Sequence, residues 1–164
     1  MKRYIRPVIW LLVAAGVQGS LPACISIMGA MPDLVLVVLI CFSLAEDPAF
    51  GAALGFVAGL IQGSVVGMGM GSLIVTRTIT GFAAGLVSTR LFSANAIVPA
   101  FSVMWLTVMC GALFQLVNPR LAGPQAVGIV AGQCIHNVIF TFVIYTVVQF
   151  LETGRKNRII NSRF

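Results

Sequence analysis

The chain alternates long apolar runs with short polar interruptions, and the runs are too long and too evenly apolar to be the buried faces of soluble helices. Six runs can be drawn, at residues 8–29, 32–45, 48–66, 72–92, 97–117 and 125–151. Most reach the roughly 20 residues that a helix needs to cross hydrocarbon, and the second is the short one. Asp47-Pro48 and Pro32-Asp33 put a proline at a helix start with an acid beside it, where the helix dipole favours negative charge. They mark the starts of the third and second helices. The pattern predicts an all-α integral membrane protein, a single domain built as a six-transmembrane-helix bundle with short loops.

Composition agrees with that solvent. The chain is 59% hydrophobic and 9% charged, with a mean hydropathy of +1.05, where an average soluble domain carries roughly 25% charged residues. The net charge of +6 gathers at the two ends of the chain, which suits an anionic membrane face and gives no reason to expect nucleic acid. Six spans starting inside put Lys2, Arg3, Arg6, Arg90, Arg155, Lys156, Arg158 and Arg163 on the cytoplasmic side and leave Arg120 in an outside loop. Positive charge is retained inside, so both termini are predicted to be cytoplasmic. MKRYIR, an apolar run and LPAC ending at Cys24 also resemble a lipoprotein signal. Cleavage there would leave five spans. Pro22 is a poor residue at that place, and apolar sequence continues to Met28.

Within the third run glycine recurs at every fourth position, at Gly51, Gly55, Gly59, Gly63, Gly67 and Gly71. Such a ladder is costly in water, at about 0.8–1 kcal/mol per glycine relative to alanine. In lipid there is little hydrophobic drive between helices, and small residues four apart let two backbones approach closely. Gly81, Gly85 and Thr89 continue the theme on the next run. A hairpin turning near Met70 would set Gly59 level with Gly81, Gly55 with Gly85 and Gly63 with Arg77. These glycines either pack the bundle internally or form a docking face for another membrane protein, and spacing alone does not separate the two.

Arg77 is the one charge inside an apolar run, in SLIVTRTITG, with Gln62 expected beside it. A buried arginine in a bilayer finds a partner or snorkels to the interface. Asp33 is the best acidic candidate, because fifteen residues from Pro32 to Glu46 cover only about 22 Å and draw the outer end of the second span into the membrane. The alternatives are a structural Arg77–Asp33 pair, snorkelling, or contact with a ligand or partner. In the last run Gln133, His136, Asn137 and Thr141 share a helical face. Interhelical hydrogen bonding is the plain explanation for that stripe, which Gln18, Gln115 and Asn118 are able to join.

Catalytic patterns are missing. Cys24, Cys41, Cys110 and Cys134 are dispersed with no C-x-x-C, and read as small buried hydrophobes. One histidine in the chain with no carboxylate nearby is a weak metal site. The four acids, Asp33, Glu46, Asp47 and Glu152, form no pair, and Glu46 and Asp47 are placed to cap the third helix. No nucleophile has a recognisable base, and MGMGS lacks the lysine of a phosphate-binding loop. Neither an enzymatic activity nor a cofactor or metal is expected.

The run MPDLVLVVLICFSLAEDPAFGAALGFVAGLIQGSVVGMGMGSLIV resembles the rod shape-determining protein MreD family, with its P-D-L start to a short second span, charged turn and G-F-x-x-G-L. Asn137 in the last span and the six short-looped spans agree with that family over nearly the whole chain, although the motifs themselves lie in residues 31–75 and at Asn137. Two positions depart from it: Gly63 stands where many such sequences carry aspartate, and Thr141 where a proline follows the asparagine. The resemblance implies a fold similar to the substrate-binding components of energy-coupling-factor vitamin transporters. It implies a non-enzymatic scaffold of the bacterial inner membrane that binds a single-span MreC-like protein. Through that partner it would reach actin-like filaments and lateral-wall peptidoglycan synthases. Membrane lipids and a second copy of the chain are the other expected contacts. The alternative is a vitamin-capturing transport component, coupled through the small residues Ala15 and Gly19 of the first span.

Overall fold

A computed structural model of the chain describes residues 2–22, 26, 29–67, 69–91, 97–119 and 123–161, with side chains described except at 2–3, 88–91, 97–99, 123–124, 126, 145 and 147–161. It is all-helical, with α1 at Lys2–Ser20, α2 at Leu34–Ser43, α3 at Pro48–Val66, α4 at Met70–Leu91, α5 at Ile97–Val117 and α6 at Gly123–Asn161. Four helices are long and apolar enough to cross a membrane, over Pro48–Val66, Met70–Val87, Ala100–Val117 and Val127–Ile144. The chain is a multi-pass helical protein.

The helix limits differ from the hydropathy pattern at three places. The first helix begins at Lys2, within the basic segment, and ends at Ser20 rather than at residue 29. Cys24, and with it the alternative of cleavage there, lies outside the described residues. The second helix is shorter than its apolar run, 10 residues or about 15 Å at 1.5 Å per residue. The last helix starts earlier and continues to Asn161, well beyond its apolar window.

The short helix α2 is the centre of the bundle. Every residue from Leu34 to Cys41 is buried, most of them completely, and α2 touches α1, α3, α4, α5 and α6. This arrangement explains its sequence: LVLVVLIC is apolar all round, as a helix without a lipid or water face must be. Around it the outer helices follow the order α1, α3, α4, α5, α6, each in contact with the next. Leu11, Ala14 and Ala15 of α1, Phe50 and Leu54 of α3 and Val103 and Leu106 of α5 complete the core. Asp47 caps α3 by accepting from the Phe50 N–H at 2.8 Å, with Pro48 in the first turn, as the dipeptide predicts.

Candidate functional site

Two sets of residues singled out in the sequence meet on α4, one on each side of it. The first is the glycine ladder. A Cβ added at Gly51 would lie 2.1 Å from the Gly81 carbonyl oxygen, and one at Gly55 would lie 2.2 Å from the Arg77 carbonyl oxygen. At Gly59 it would meet Ile74 Cα at 2.5 Å, at Gly85 Pro48 Cα at 2.5 Å, and at Gly63 the Met70 side chain at 2.7 Å. The backbones of α3 and α4 are therefore in direct contact along the hairpin, and all six of these glycines are covered from within the chain. Gly67 and Gly71 meet nothing within 4 Å.

The register corrects the pairing read from the sequence. Gly81 stands opposite Gly51, not Gly59; Gly85 stands opposite Pro48, not Gly55; Arg77 stands opposite Gly55, not Gly63. The cause is the turn. Gly67 and Gly69 adopt left-handed φ of 71° and 68°, and α4 already begins at Met70. A connection of three residues centres the hairpin before Met70 and slides every pair by about one helical turn on each strand of it. Thr89 lies outside the residues whose side chains are described.

The second set is polar and converges on the start of α2. Asp33 is its N-cap: one carboxylate oxygen, Oδ1, accepts from the Leu36 N–H at 3.0 Å. The same atom accepts from Gln62 Nε2 at 3.2 Å. Oδ2 takes the ion pair with Arg77 Nη2. Arg77 is held from two further directions, Nε donating to Gln62 Oε1 at 2.9 Å and Nη1 to Cys110 Sγ at 2.9 Å. Asn137 closes the node from α6: its Oδ1 accepts the Asp33 backbone N–H at 3.0 Å and its Nδ2 donates to Thr107 Oγ1 at 3.1 Å. Gln18 of α1 accepts from the Val35 N–H at 3.3 Å.

All six helices thus place a side chain or backbone group in one cluster. The physical need is plain. The first turn of any helix leaves unbonded N–H groups, and away from water each unsatisfied group costs several kcal/mol, so a short helix buried in a membrane protein needs donors and acceptors from its neighbours. Asp33 and Arg77 are both 5% exposed and Asn137 is fully buried. A charge of either sign at that depth is tolerated only with a partner in hydrogen-bond contact.

The polar stripe of α6 divides on inspection. Asn137 enters the node, whereas Thr141 Oγ1 donates back to the Asn137 carbonyl at 2.5 Å and His136 Nδ1 lies 2.9 Å from the Gly132 carbonyl in its own helix. Gln133 lines a cavity of about 840 Å³ beside the node, bounded by α4, α5 and α6, with Arg77, Asp33, Gln62 and Thr107 on its floor. Sequence reasoning missed Thr107 and the role of Cys110. A threonine and a cysteine three apart on an apolar helix carry no signal until Arg77 and Asn137 are known to approach from either side. Among the described residues no group of three or more His, Cys, Asp or Glu side chains is arranged to hold a metal ion.

The family model for the rod shape-determining protein MreD matches residues 1–153 of the chain. No curated protein and no solved structure matches it.

Proposed function

This chain belongs to the rod shape-determining protein MreD family, and we propose that it works as a non-enzymatic scaffold of the cell-elongation machinery in the bacterial inner membrane. Its role in rod-shape determination follows from the family. The finer assignment is that it binds a single-span MreC-like protein and so helps organise actin-like filaments and lateral-wall peptidoglycan synthases. Both termini are cytoplasmic in this proposal, in keeping with positive charge retained inside, and the bundle is related in design to the substrate-binding components of energy-coupling-factor transporters.

The observation that carries the proposal is the node at Asp33. Its charged and amide groups bond to one another and to the start of α2, which is how a rigid framework uses polar residues. A vitamin-capturing component would instead need such groups free to bond a ligand, whereas Asp33, Gln62 and Arg77, which line the neighbouring cavity, bond within the chain. Because the α3–α4 glycines are covered by backbone, the proposed partner faces are the outward sides of the bundle. On α1 these carry Ile5, Ile9 and Leu12, each more than half exposed, and on α5 Phe101 and Trp105, each 64% exposed. A single partner helix packs on such a surface by van der Waals contact.

The test is purification of the tagged protein from its native membrane in mild detergent, with identification of co-purifying proteins and small molecules by mass spectrometry. Stoichiometric recovery of a single-span MreC-like protein is expected. Recovery of an ATPase pair together with a bound vitamin would replace the scaffold by the transport component.

A further inference from the structure

The hydrogen bonds of the node leave a cavity beside it. It has a volume of about 840 Å³, inside the range of roughly 300–1,000 Å³ typical of small-molecule sites. It lies among α4, α5 and α6, where α4 and α6 both touch α5 but, among the described residues, not each other. The side chains at its edge are Val108, 42% exposed, Val127, 70% exposed, and Ala112 and Ala131, both exposed. All four lie within the windows Ala100–Val117 and Val127–Ile144, the stretches of α5 and α6 apolar enough to cross a membrane. These four edge side chains are apolar and belong to stretches able to cross hydrocarbon.

The floor is polar but already satisfied. Arg77 is engaged by Asp33, Gln62 and Cys110, so the two opposite charges at the bottom cancel. A charged headgroup would have to compete with that ion pair, whereas a neutral chain need not. Gln115 and Gln133 also line the cavity, but most of its wall is apolar; a void lined in this way forfeits the contacts that a close-packed interior makes, and water gains little from its apolar parts. We propose that this cavity is a lipid site, taking the acyl chain of a membrane lipid that enters past the exposed α5 and α6 side chains at its edge. The chain supplies the packing that the walls of the cavity do not give one another. The site is independent of the scaffold function and of any particular protein partner.

The full-length protein is to be reconstituted in vesicles of phosphatidylethanolamine and phosphatidylglycerol containing a small fraction of phosphatidylcholine with a diazirine at the end of one acyl chain. After irradiation, adducts are mapped by mass spectrometry. Adducts are expected on Val130 and Cys134, which line the cavity, as well as on Phe101 and Val143, which face outward. Ala112→Trp and, separately, Ala131→Trp fill the opening from exposed positions, and each should lower the interior adducts about five-fold or more by occupying pocket volume, while the outward adducts stay unchanged and report an intact fold. The proposal is overturned if the outward residues are labelled and the interior ones are not, or if interior labelling persists in both tryptophan variants. Wild-type protein alone gives a further test: a water-soluble diazirine probe of vitamin size that labels Val130 in preference to the lipid probe also overturns it.

Discussion

Helix α4 is held by opposite means on its two sides. Toward α3 it has no side chains to offer at Gly81 and Gly85, and α3 has none at Gly51, Gly55 and Gly59, so backbone rests on backbone. Toward α2 and α5 it offers Arg77, which reaches Asp33 and Cys110, and the remaining space is a cavity. In lipid the hydrophobic effect does little to bring helices together, so association rests on close packing or on polar bonds. This chain uses the first where two helices must run side by side along their length, and the second where five helices must meet the end of a sixth. The two are linked, since Gly55 seats α3 against the Arg77 carbonyl and so brings Gln62, two turns further along α3, to the guanidinium.

The largest effect is expected on the polar side. Arg77→Ala leaves Asp33 buried and uncompensated, and removing one partner of a buried pair costs about 3–5 kcal/mol. Asp33→Asn keeps an N-cap for α2 but removes the charge. If the pair is coupled, Arg77→Ala should destabilise the Asp33→Asn protein by less than the wild type, with a coupling of about 1–3 kcal/mol. Thermal unfolding of the four proteins in detergent measures it. Strictly additive losses would mean that the node is held by packing and that the contrast between the two sides of α4 is one of appearance.

On the glycine side, Gly51→Ala is expected to cost about 3 kcal/mol, the upper part of the usual range for overpacking. The clash is with a backbone carbonyl that cannot rotate away. The same unfolding experiment checks it, and an unchanged midpoint would show that α3 and α4 are free to move apart. Asn137→Leu should come next, at about 1–2 kcal/mol, because it leaves the Asp33 N–H without its acceptor in a buried place.

How much of this was legible beforehand depends on whether the information is local. The period-four glycines, the proline-acid helix starts and a lone arginine with few acids to choose from are sequence features, and they pointed to the hairpin and to Asp33 and Arg77 as candidates. The register of the hairpin was not legible. GMGMG, residues 67–71, offers glycines at 67, 69 and 71, any of which can turn the chain, and the choice of Gly67 and Gly69 moves every pair. The roles within the stripe on α6 were hidden for a related reason. Periodicity shows that Gln133, His136, Asn137 and Thr141 share a face, but only the placement of α2 decides that Asn137 meets the Asp33 N–H while Thr141 bonds within its own helix. Thr107 and Cys110 were invisible because their neighbours are distant in sequence, Arg77 by 33 residues from Cys110 and Asn137 by 30 from Thr107.

The smallest predicted effect is the one that separates close approach from glycine content. Gly16 and Gly71 lie in helices, at ordinary backbone angles, and a Cβ at either meets nothing within 4 Å. Replacing either with alanine removes backbone freedom from the unfolded chain and adds no clash, so stability should stay level or rise by at most about 0.5–1 kcal/mol. Gly71 belongs to the same period-four series as Gly51 and differs from it in that its Cβ position meets no opposing backbone. Melting curves of Gly71→Ala and Gly51→Ala, measured side by side, therefore isolate the contact itself. A loss at Gly71 as large as that at Gly51 would mean that glycine matters here through the helix or its lipid surroundings, and the backbone contact between α3 and α4 would no longer explain the ladder.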